Sequence, residues 1–556
     1  MLNIYQRTRY QKRMSWISPT DLRHSIMNDP IVDVFELTKQ DQKDKMEDFD
    51  LFLIQKGKQF EKDVVHYIHT HYCPVITLDE TFMNENIKET ISLIKNKTYP
   101  ILHNVPFKNT DDFTYGIIDL LVRNDVFQKI FPNIQIETRK QKFYVVIDIK
   151  FSTLYLSSDG ESLLNQKNQT FYKSQCFLYN QAIGKIQEYT PKSSYILGRR
   201  YSFRKKGKKT KITNCFDHLG TISFQHTKDN YEQQIKNIQK WIKTIKQKRF
   251  NLSILHPNMK NSTPEWNSLK RNHAIQQEDI TQLWNCNPKN RDNAHSHNIY
   301  KLSDKKLSSS ILGINGSKAR VIDSMLNINR QSRHLMLPRK IKSDYGQWRQ
   351  LDESVAFCDF ETINDLFDPL SLNRVPIHKS YEIIFMIGLY YYDHTTQNWE
   401  YKSFCMDEIS FENEKKICKE FTLFMSSQKI NTVWYWHAEQ SQIHRLIKRH
   451  PSLTRRFMKQ SWYDLCYLFK SEPIVIKGVY DFSLKSIAKK IQEYGMINAR
   501  IVSECDSGMN AMMKAYDAYT LNDIVMKHKI IDDIKQYNKF DVESLYEILY
   551  YIIHNH

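Results

Sequence analysis

The sequence lacks the cysteine patterns that build disulfide frameworks or structural zinc sites. Its nine cysteines are scattered between Cys73 and Cys505, and no two of them have the CxxC spacing. An odd number of unclustered cysteines disfavours both a disulfide framework and a zinc ribbon. We therefore predict a protein of a reducing compartment.

Long apolar runs are also lacking. The longest, IIFMIGLYYY at residues 383–392, has about half the length that a membrane-spanning helix needs. Residues 1–16, MLNIYQRTRYQKRMSW, contain no apolar core of a signal peptide. We therefore expect a soluble, intracellular protein with no membrane partner.

Positive charge, by contrast, is abundant. The 556 residues carry a net charge of +18, and hydrophobic residues make up 41% of the chain. The apolar content is ample for sizeable cores, and the basic excess favours a polyanionic partner, most simply nucleic acid. A merely soluble basic protein remains the alternative. At about 150 residues per domain, the length predicts three domains or two large ones.

Hydrophobic patterning divides the chain into three parts. In residues 1–250, helical patterns at 57–72 and 164–186 enclose two strand-like runs, FTYGIIDLLVR and FYVVIDIK, which indicates an α/β unit. Residues 251–345 are polar and Asn/Ser-rich, and predict a helical linker region. Residues 346–556 begin with three strand-like runs and end in helices, which indicates a second α/β unit.

One segment of the linker region resembles a helix–hairpin–helix turn. This segment is ILGINGSKARVI, residues 311–322, in which Gly313 and Gly316 would offer backbone N–H groups to a phosphate. Asn315 stands where that motif usually has its second glycine. An ordinary connection between helices is the alternative.

Carboxylates interrupt the apolar elements of the first part. Glu61 lies in the helical pattern GKQFEKDVVHYI, Asp119 in the strand YGIIDLLVR, and Asp148 in the strand VVIDIK. Acids on adjacent strands repel each other and resist desolvation, and a divalent cation relieves both problems. Lys150 lies on the same side of its strand as Asp148. It would orient the attacking water or stabilise charge on a scissile phosphate.

The order of these motifs resembles that of the PD-(D/E)XK nucleases of the RecB family, over roughly residues 16–250. The series is G-x-x-F-E on a helix, G-x-x-D in a strand, D-x-K in the next strand and Q-x-x-x-Y in the following helix. The resemblance implies a restriction-endonuclease-like fold with metal ligands Glu61, Asp119 and Asp148, the catalytic residue Lys150, and Gln175 and Tyr179 beside the nucleic-acid strand. A nuclease-like fold without activity is the alternative.

Two further expectations concern this first part. Some relatives of that family hold an iron–sulfur cluster with four cysteines, but Cys73, Cys176 and Cys215 lack the clustered spacing, so we expect no cluster. A further strand-like run, SSYILGRRYSF, follows the second helical pattern and leads into a basic hairpin tip, which would touch phosphates or be solvated. The basic tip comprises Arg199, Arg200, Arg204, Lys205, Lys206, Lys208, Lys209 and Lys211, of which we assign Arg199, Arg200, Lys205 and Lys206 to nucleic-acid binding.

A second constellation of acids lies in the last part of the chain. The strand FCDFETIND places Asp359 and Glu361 on one side, and YNKFD places Tyr537 and Asp541 one helical turn apart. Glu439, in WYWHAEQSQIHRL, follows an apolar strand at the start of a helix. Acids on the first strand, on the helix after the fourth strand and on the last helix converge in the ribonuclease-H-like fold.

Together these features resemble the DEDD exonucleases of the DnaQ type, in the variant with tyrosine in the third motif. They are similar above all to the RNase-H-like domain of predicted RecB-family nucleases, which share this two-domain order and a stretch like GVYDFSLKSIAKK. The resemblance implies two metals held by Asp359, Glu361 and Asp541. It also implies that Tyr537 orients water and that cleavage runs 3′→5′.

Three residues depart from that pattern or fall outside it. Glu439 stands where these exonucleases usually have aspartate, which puts robust activity in doubt and leaves a pseudo-exonuclease as the alternative. Asp464, in WYDLCYLF, is interpreted as a structural acid. His437 is interpreted as a packing or hydrogen-bonding residue rather than a general base.

The sequence therefore predicts a PD-(D/E)XK domain (1–250), a helical linker region (251–345) and an RNase-H-like DEDDy domain (346–556). We expect metal-dependent hydrolysis of phosphodiester bonds with Mg²⁺ or Mn²⁺. DNA is favoured over RNA as the substrate, which would imply a role in replication, recombination or repair. The alternatives are an RNA-processing exonuclease and a catalytically degenerate nucleic-acid-binding scaffold.

Overall fold

A computed structural model gives the fold of the chain. It describes residues 16–81, 84–137, 139–205, 208–209, 214–225, 230–330, 333–367, 375, 381–500, 503–505 and 507–556. The chain forms two compact units. The first comprises residues 1–273 and 373–379, and the second comprises residues 274–372 and 380–556.

The first unit contains both helices and strands. Its helices are α1 (Arg23–Ile26), α2 (Pro30–Thr38), α3 (Asp48–His71), α4 (Asn84–Asn96), α5 (Asn124–Ile130), α6 (Gln169–Ile186) and α7 (Tyr231–Lys246). Its strands are β1 (Val75–Thr77), β2 (Ile101–Asn109), β3 (Thr114–Arg123), β4 (Tyr144–Tyr155), β5 (Ser193–Ser202), β6 (Arg204–Lys205), β7 (Lys208–Lys209) and β8 (Gly220–Ser223). Along α8 (Asn267–Gln277) the chain passes from the first unit to the second.

A six-stranded mixed sheet lies at the centre of this unit, in the order β1-β2-β3-β4-β5-β8. Strand β4 pairs antiparallel with β3 and parallel with β5. The apolar run FYVVI accounts for β4, because its β-branched and aromatic side chains suit a strand that is buried on both faces. The predicted α/β unit is confirmed, and the two acid-bearing strands β3 and β4 are neighbours.

Helices cover both faces of this sheet. Phe60 and Val64 of α3 pack in one core with Ile147. Tyr179 and Ile183 of α6 pack in another core with the alternate residues of the strands, such as Val146. Because side chains alternate along a strand, Asp148 and Lys150 face the side of the sheet that α6 covers.

The second unit is also mixed. Its helices are α9 (Pro288–Ser296), α10 (Ser317–Arg330), α11 (Phe411–Ser427), α12 (Glu439–Arg449), α13 (Thr454–Phe457), α14 (Leu465–Ser471), α15 (Leu484–Glu493), α16 (Gly508–Thr520) and α17 (Ile524–Asn555). Its strands are β9 (Met336–Leu337), β10 (Val355–Asn364), β11 (Glu382–Asp393), β12 (Asn398–Cys405), β13 (Thr432–Tyr435), β14 (Ser461–Asp464) and β15 (Val475–Ile476).

A five-stranded sheet organises this unit, in the order β12-β11-β10-β13-β14. The first three strands along the chain pair antiparallel, and β13 and β14 then add in parallel on the other side of β10. Val355 and Phe357 of β10 share a core with Leu545 and Ile548 of α17. Since Asp359 follows Phe357 by two residues, it points to the face that α17 covers.

The predicted linker region, residues 251–345, is divided between the two units. Leu312, Val321 and Ile322 belong to the same apolar core as Phe357 of β10. Gly313 and Gly316 have φ values of +69° and +70°, and α10 begins directly after them. Residues 297–316, all of which the structure describes, form turns and irregular segments rather than a helix. Of the predicted helix–hairpin–helix turn, the helix that follows the glycines is therefore present, as α10. Phosphate contact by Gly313 and Gly316 stays a prediction.

No helix within the described residues combines the length and the apolarity that crossing a membrane requires.

Candidate metal-binding and active sites

Strands β3 and β4 bring a half-buried and a buried carboxylate, Asp119 and Asp148, together in the first unit. Asp119 Oδ2 accepts a hydrogen bond of 2.7 Å from the backbone N–H of Ile149, so its side chain reaches across to β4. Asp148 is fully buried. Lys150 Nζ lies 2.8 Å from Asp148 Oδ1 and 2.7 Å from Oδ2, which makes this ammonium the direct counter-charge of the pair.

Burial and mutual repulsion set the protonation of this group. Burial, and then the charge of Asp148, raises the pKa of Asp119 well above its ordinary value. Burial likewise raises the pKa of Asp148, although Lys150 partly opposes that rise. Burial alone would lower the pKa of Lys150, but the Asp148 and Asp119 carboxylates outweigh it and raise that pKa. Lys150 therefore stays protonated, as an electrostatic role requires.

Glu61 lies near these acids but is held by a different partner. Its Oε1 is 3.1 Å from Nε2 of His103, on β2, and His103 Nδ1 is 3.1 Å from the Thr77 hydroxyl. The Glu61 charge nevertheless contributes to the raised pKa of Asp119. Sequence reasoning missed His103. The available signal was a lone histidine in the apolar strand ILHNVPF.

The two predicted residues of α6 also meet. Gln175 Nε2 donates a 2.8 Å hydrogen bond to the Tyr179 hydroxyl, as expected for residues one turn apart. Gln175 Oε1 is buried and has no hydrogen-bond partner among the described residues. Burial, and then Asp148, raises the pKa of Tyr179, so this hydroxyl remains a neutral donor.

The predicted basic contacts are only partly described. Arg199 is 5% exposed, and its guanidinium packs 4.7 Å from the centre of the Phe151 ring, so it does not face solvent in this conformation. Arg200 is half-buried in β5. Lys205 lies in β6, and Lys206 lies outside the described residues. Nucleic-acid contact by these residues stays a prediction.

In the second unit, β10 and α17 bring three acids together. One ligand atom from each of Asp359, Glu361 and Asp541 lies within 4.8 Å of the others. Within the part of the chain that the structure describes, no other set of acids, histidines and cysteines is this tight. Glu61, Asp119 and Asp148 are therefore less tightly clustered than the acids of the second unit.

Two more predicted residues adjoin this cluster. Glu439, the first residue of α12, is 2% exposed, and its carboxylate interacts with that of Asp359. Glu439 Oε2 is buried and has no hydrogen-bond partner among the described residues. The Tyr537 side chain is hydrogen-bonded to that of Asp541, which lies one turn further along α17. The structure thus brings all five predicted residues of this site together.

Burial again dominates the electrostatics. It raises the pKa of Asp359, of Glu361 and of Asp541, and the neighbouring carboxylates raise the last two further. Burial, and then Asp359, raises the pKa of Glu439. Lys485 of α15 partly opposes the rise at Asp541. Because these carboxylates are close together and desolvated, their repulsion is relieved either by binding protons or by binding a cation.

A residue that sequence reasoning missed lies inside the cluster. Asn538 is fully buried, and its Nδ2 donates to Asp359 Oδ2 at 2.8 Å and to Glu361 Oε1 at 3.3 Å. The available signal in the sequence was the spacing of Asn538, which lies three residues before Asp541 and therefore on the same face of the helix.

The two residues placed outside the second site differ in their surroundings. Asp464 Oδ1 accepts from the backbone N–H of His437 at 3.1 Å, which fits the structural role predicted for this acid. The His437 side chain is 69% exposed and its Nδ1 lies 3.9 Å from Asp464 Oδ2, so of the two roles predicted for it, packing or hydrogen bonding, its surroundings do not fit packing. Its φ of +78° places it in the left-handed region, where the hydrogen bond to Asp464 helps to hold it.

The donors of the second cluster fit a divalent cation. Carboxylate oxygens are the ligands that Mg²⁺ and Mn²⁺ prefer. The buried Glu439 oxygen without a partner and the raised pKa values of the acids both indicate negative charge that the protein itself does not neutralise. In the first unit, Asp119, Asp148 and Glu61 offer the same donor type, with Lys150 beside them.

Comparison with known families matches part of the second unit. A family model described as RNase_H_2, of the RNase H superfamily, matches residues 375–553. The matched segment includes Glu439, Tyr537 and Asp541, while Asp359 and Glu361 precede it. Searches of curated proteins and of solved structures give no match. The second unit therefore contains an RNase H-like domain.

Proposed function

We propose that the protein is a metal-dependent nuclease whose RNase H-like domain acts as a 3′→5′ exonuclease of the DEDDy type. The observation that carries the proposal is the convergence of Asp359, Glu361 and Asp541, which each place a carboxylate oxygen within 4.8 Å of the others. The Tyr537 side chain is hydrogen-bonded to Asp541. Asp359, Glu361 and Asp541 would hold the cations. When bound, these ions activate water and neutralise charge on the phosphate.

The protein's own side chains supply the rest of the chemistry. Burial, and then the Asp541 charge, raises the pKa of Tyr537, so its hydroxyl stays protonated and can hold a water by hydrogen bonding. Glu439 Oε2 has no partner among the described residues and can accept a proton or a hydrogen bond there. This placement supports a working second motif despite the glutamate.

We propose a second nuclease site of the PD-(D/E)XK type in the first unit. Asp119, Asp148 and Glu61 would hold a cation, and Lys150 would stabilise charge on the scissile phosphate. The position of Lys150 against Asp148 supports this role. The buried Gln175 Oε1, without a partner among the described residues, is available to a donor on the nucleic acid.

The proposed substrate is nucleic acid, with DNA favoured over RNA. The net charge of +18 supports a polyanionic substrate, because Lys and Arg side chains gain affinity by releasing counterions from phosphates. The preference for DNA, and a role in replication, recombination or repair, rest on the resemblance of the first unit to RecB-type nucleases.

Matched DNA and RNA oligonucleotides, each labelled at the 5′ or the 3′ end, test this proposal. We expect the purified full-length protein to shorten 5′-labelled DNA progressively from its 3′ end with Mg²⁺ or Mn²⁺, and to release mononucleotides from 3′-labelled DNA. EDTA should abolish both reactions, because the carboxylates then lack their cations.

The other outcomes separate the rivals. Faster digestion of RNA would identify an RNA-processing exonuclease and contradict the preference for DNA. Binding of either oligonucleotide without cleavage, with both Mg²⁺ and Mn²⁺, would identify a scaffold and overturn the nuclease proposal.

A further inference from the structure

The sheet residue opposite Asp359 has no side chain. In the β10–β11 pairing, Asp359 is the register partner of Gly388, the one glycine of the apolar run IIFMIGLYYY. A Cβ at Gly388 would lie 2.6 Å from Cγ of Asn538 and would overlap its Oδ1. A glycine inside a strand often marks the close approach of another group, and here that group is the Asn538 amide.

The Asn538 amide uses both of its ends. Nδ2 donates to Asp359 Oδ2 at 2.8 Å and to Glu361 Oε1 at 3.3 Å, and it lies 3.4 Å from the Asp359 carbonyl oxygen. Oδ1 accepts from the Tyr401 hydroxyl, on β12, at 3.1 Å. Because carboxylates only accept hydrogen bonds when ionised, this arrangement fixes which end of the amide faces the acids.

These contacts join the elements that build the site. Asn538 belongs to α17, which also carries Asp541, while Asp359 and Glu361 belong to β10. An N–H donor between two repelling carboxylates holds them at a fixed separation without adding negative charge. A side chain that orients metal ligands in this way commonly governs metal affinity as strongly as a ligand does.

We infer that Asn538 is the positioning residue of the acidic site in the RNase H-like domain. Its amide holds Asp359 and Glu361 in the geometry that binds divalent cations. Gly388 and Tyr401 in turn hold the Asn538 amide in place. The inference rests on the proposed function. It adds a residue that does not touch substrate and acts through the two acids.

The test compares Asn538→Leu with wild type in the full-length protein. Leucine has a similar volume but no donor. We expect the Mn²⁺ concentration for half-maximal 3′-end shortening to rise about tenfold or more. Calorimetric titration should show the same loss of Mn²⁺ affinity. A merely structural residue would lower the unfolding temperature and leave the Mn²⁺ dependence of the folded protein unchanged.

A milder variant covers the case in which Asn538→Leu does not fold. Tyr401→Phe removes one hydroxyl and leaves the amide in place, so we expect a smaller shift in the same direction. Tyr401 is half-buried, and the ring stays to fill its site. Wild-type Mn²⁺ dependence in Tyr401→Phe and in any folded Asn538→Leu would overturn the inference.

A double-mutant cycle tests whether Gly388 acts through the amide. Gly388→Ala should weaken Mn²⁺ binding because its methyl group displaces Asn538. In an Asn538→Ala background the same change should add little, since coupled residues show non-additive effects. Full additivity would contradict the proposed route.

The wild type separates this inference from the function on which it rests. If wild type neither binds Mn²⁺ nor shortens oligonucleotides, the proposed function fails, and the inference fails with it. If wild type does both while Asn538→Leu matches it, the inference alone is wrong.

Discussion

Several carboxylates of this protein lie in surroundings that disfavour their charged form. Burial, in most cases together with a neighbouring carboxylate, raises the pKa of Asp119, Asp148, Asp359, Glu361, Glu439 and Asp541. A group with a raised pKa binds protons more tightly in the folded protein than in the unfolded chain. It therefore stabilises the fold below its ordinary pKa of about 4, and that contribution is lost as the pH rises toward the raised value.

This linkage predicts how metal and pH act together. We expect the unfolding temperature of the metal-free protein to fall as the pH rises from about 4 through neutrality. The increase produced by Mn²⁺ should grow over the same range, because protons and cations compete for the acids. Differential scanning calorimetry at several pH values, with Mn²⁺ or EDTA, measures both trends.

Asp541→Asn provides the matched variant for this prediction. Loss of one repelling charge should raise the metal-free unfolding temperature at pH 8 by a few degrees, since 1 kcal/mol shifts it by about 2–4 °C in a domain of this size. It should also reduce the Mn²⁺ effect. Asp532→Asn, an exposed acid of the same helix, should change neither quantity. Equal responses of the two variants would contradict the assignment of Asp541.

At the scale of elements, a buried ion pair anchors helix α8 within the first unit. Lys270 is 1% exposed, and its Nζ lies 2.6 Å from Oδ2 of the fully buried Asp29. Asp29 also accepts from the backbone N–H of Asn258 at 2.9 Å. An intact pair so buried adds little net stability, because desolvation offsets the attraction, but the loss of one partner leaves an uncompensated buried charge.

We expect Lys270→Met to destabilise the protein by about 3–5 kcal/mol. Adding Asp29→Asn should recover much of this loss, because the orphaned charge disappears. The control is Lys236→Met, which breaks the exposed pair with Glu232 and should have little effect. Urea unfolding followed by circular dichroism measures all three. A Lys270→Met variant as stable as Lys236→Met would show that the buried pair is not an anchor.

The strands and helices that carry the predicted acids could be predicted from the sequence. FYVVIDIK forms β4, and the pattern from residue 57 belongs to α3, although α3 begins nine residues earlier, at Asp48. Local periodicity determines such elements. The exposed apolar residues Leu51 and Ile54 make the first half of α3 look irregular in the sequence.

Contacts between distant segments could not be predicted in this way. His103 meets Glu61 across 42 positions, and Asn538 meets Asp359 across 179. The need for a glycine at position 388 depends on its register partner Asp359 in β10 and on Asn538, which lies 150 residues further along the chain. Contacts between such distant segments leave no periodic signal in the sequence. His103 and Asn538 were therefore missed.

At the scale of the whole molecule, predicted acids come together in each compact unit: Asp119 reaches the strand of Asp148 in the first, and Asp359, Glu361 and Asp541 cluster in the second. The division into domains at residues 250 and 345 stays a prediction, since the segment 251–345 is shared between the units. If both sites are active, each should produce its own products. Lys150 of the first proposed site and Asp541 of the second lie in different units, so the two proposed sites can be disabled independently.

Digestion of end-labelled single- and double-stranded DNA by single and double variants tests the central claim most directly. We predict that Lys150→Ala and Asp541→Asn each remove a distinct share of the wild-type products, and that the double variant cleaves nothing. The exposed controls Lys142→Ala and Asp532→Asn should digest like wild type. If Lys150→Ala, Asp541→Asn and their combination also digest like wild type, neither acidic cluster is a nuclease site.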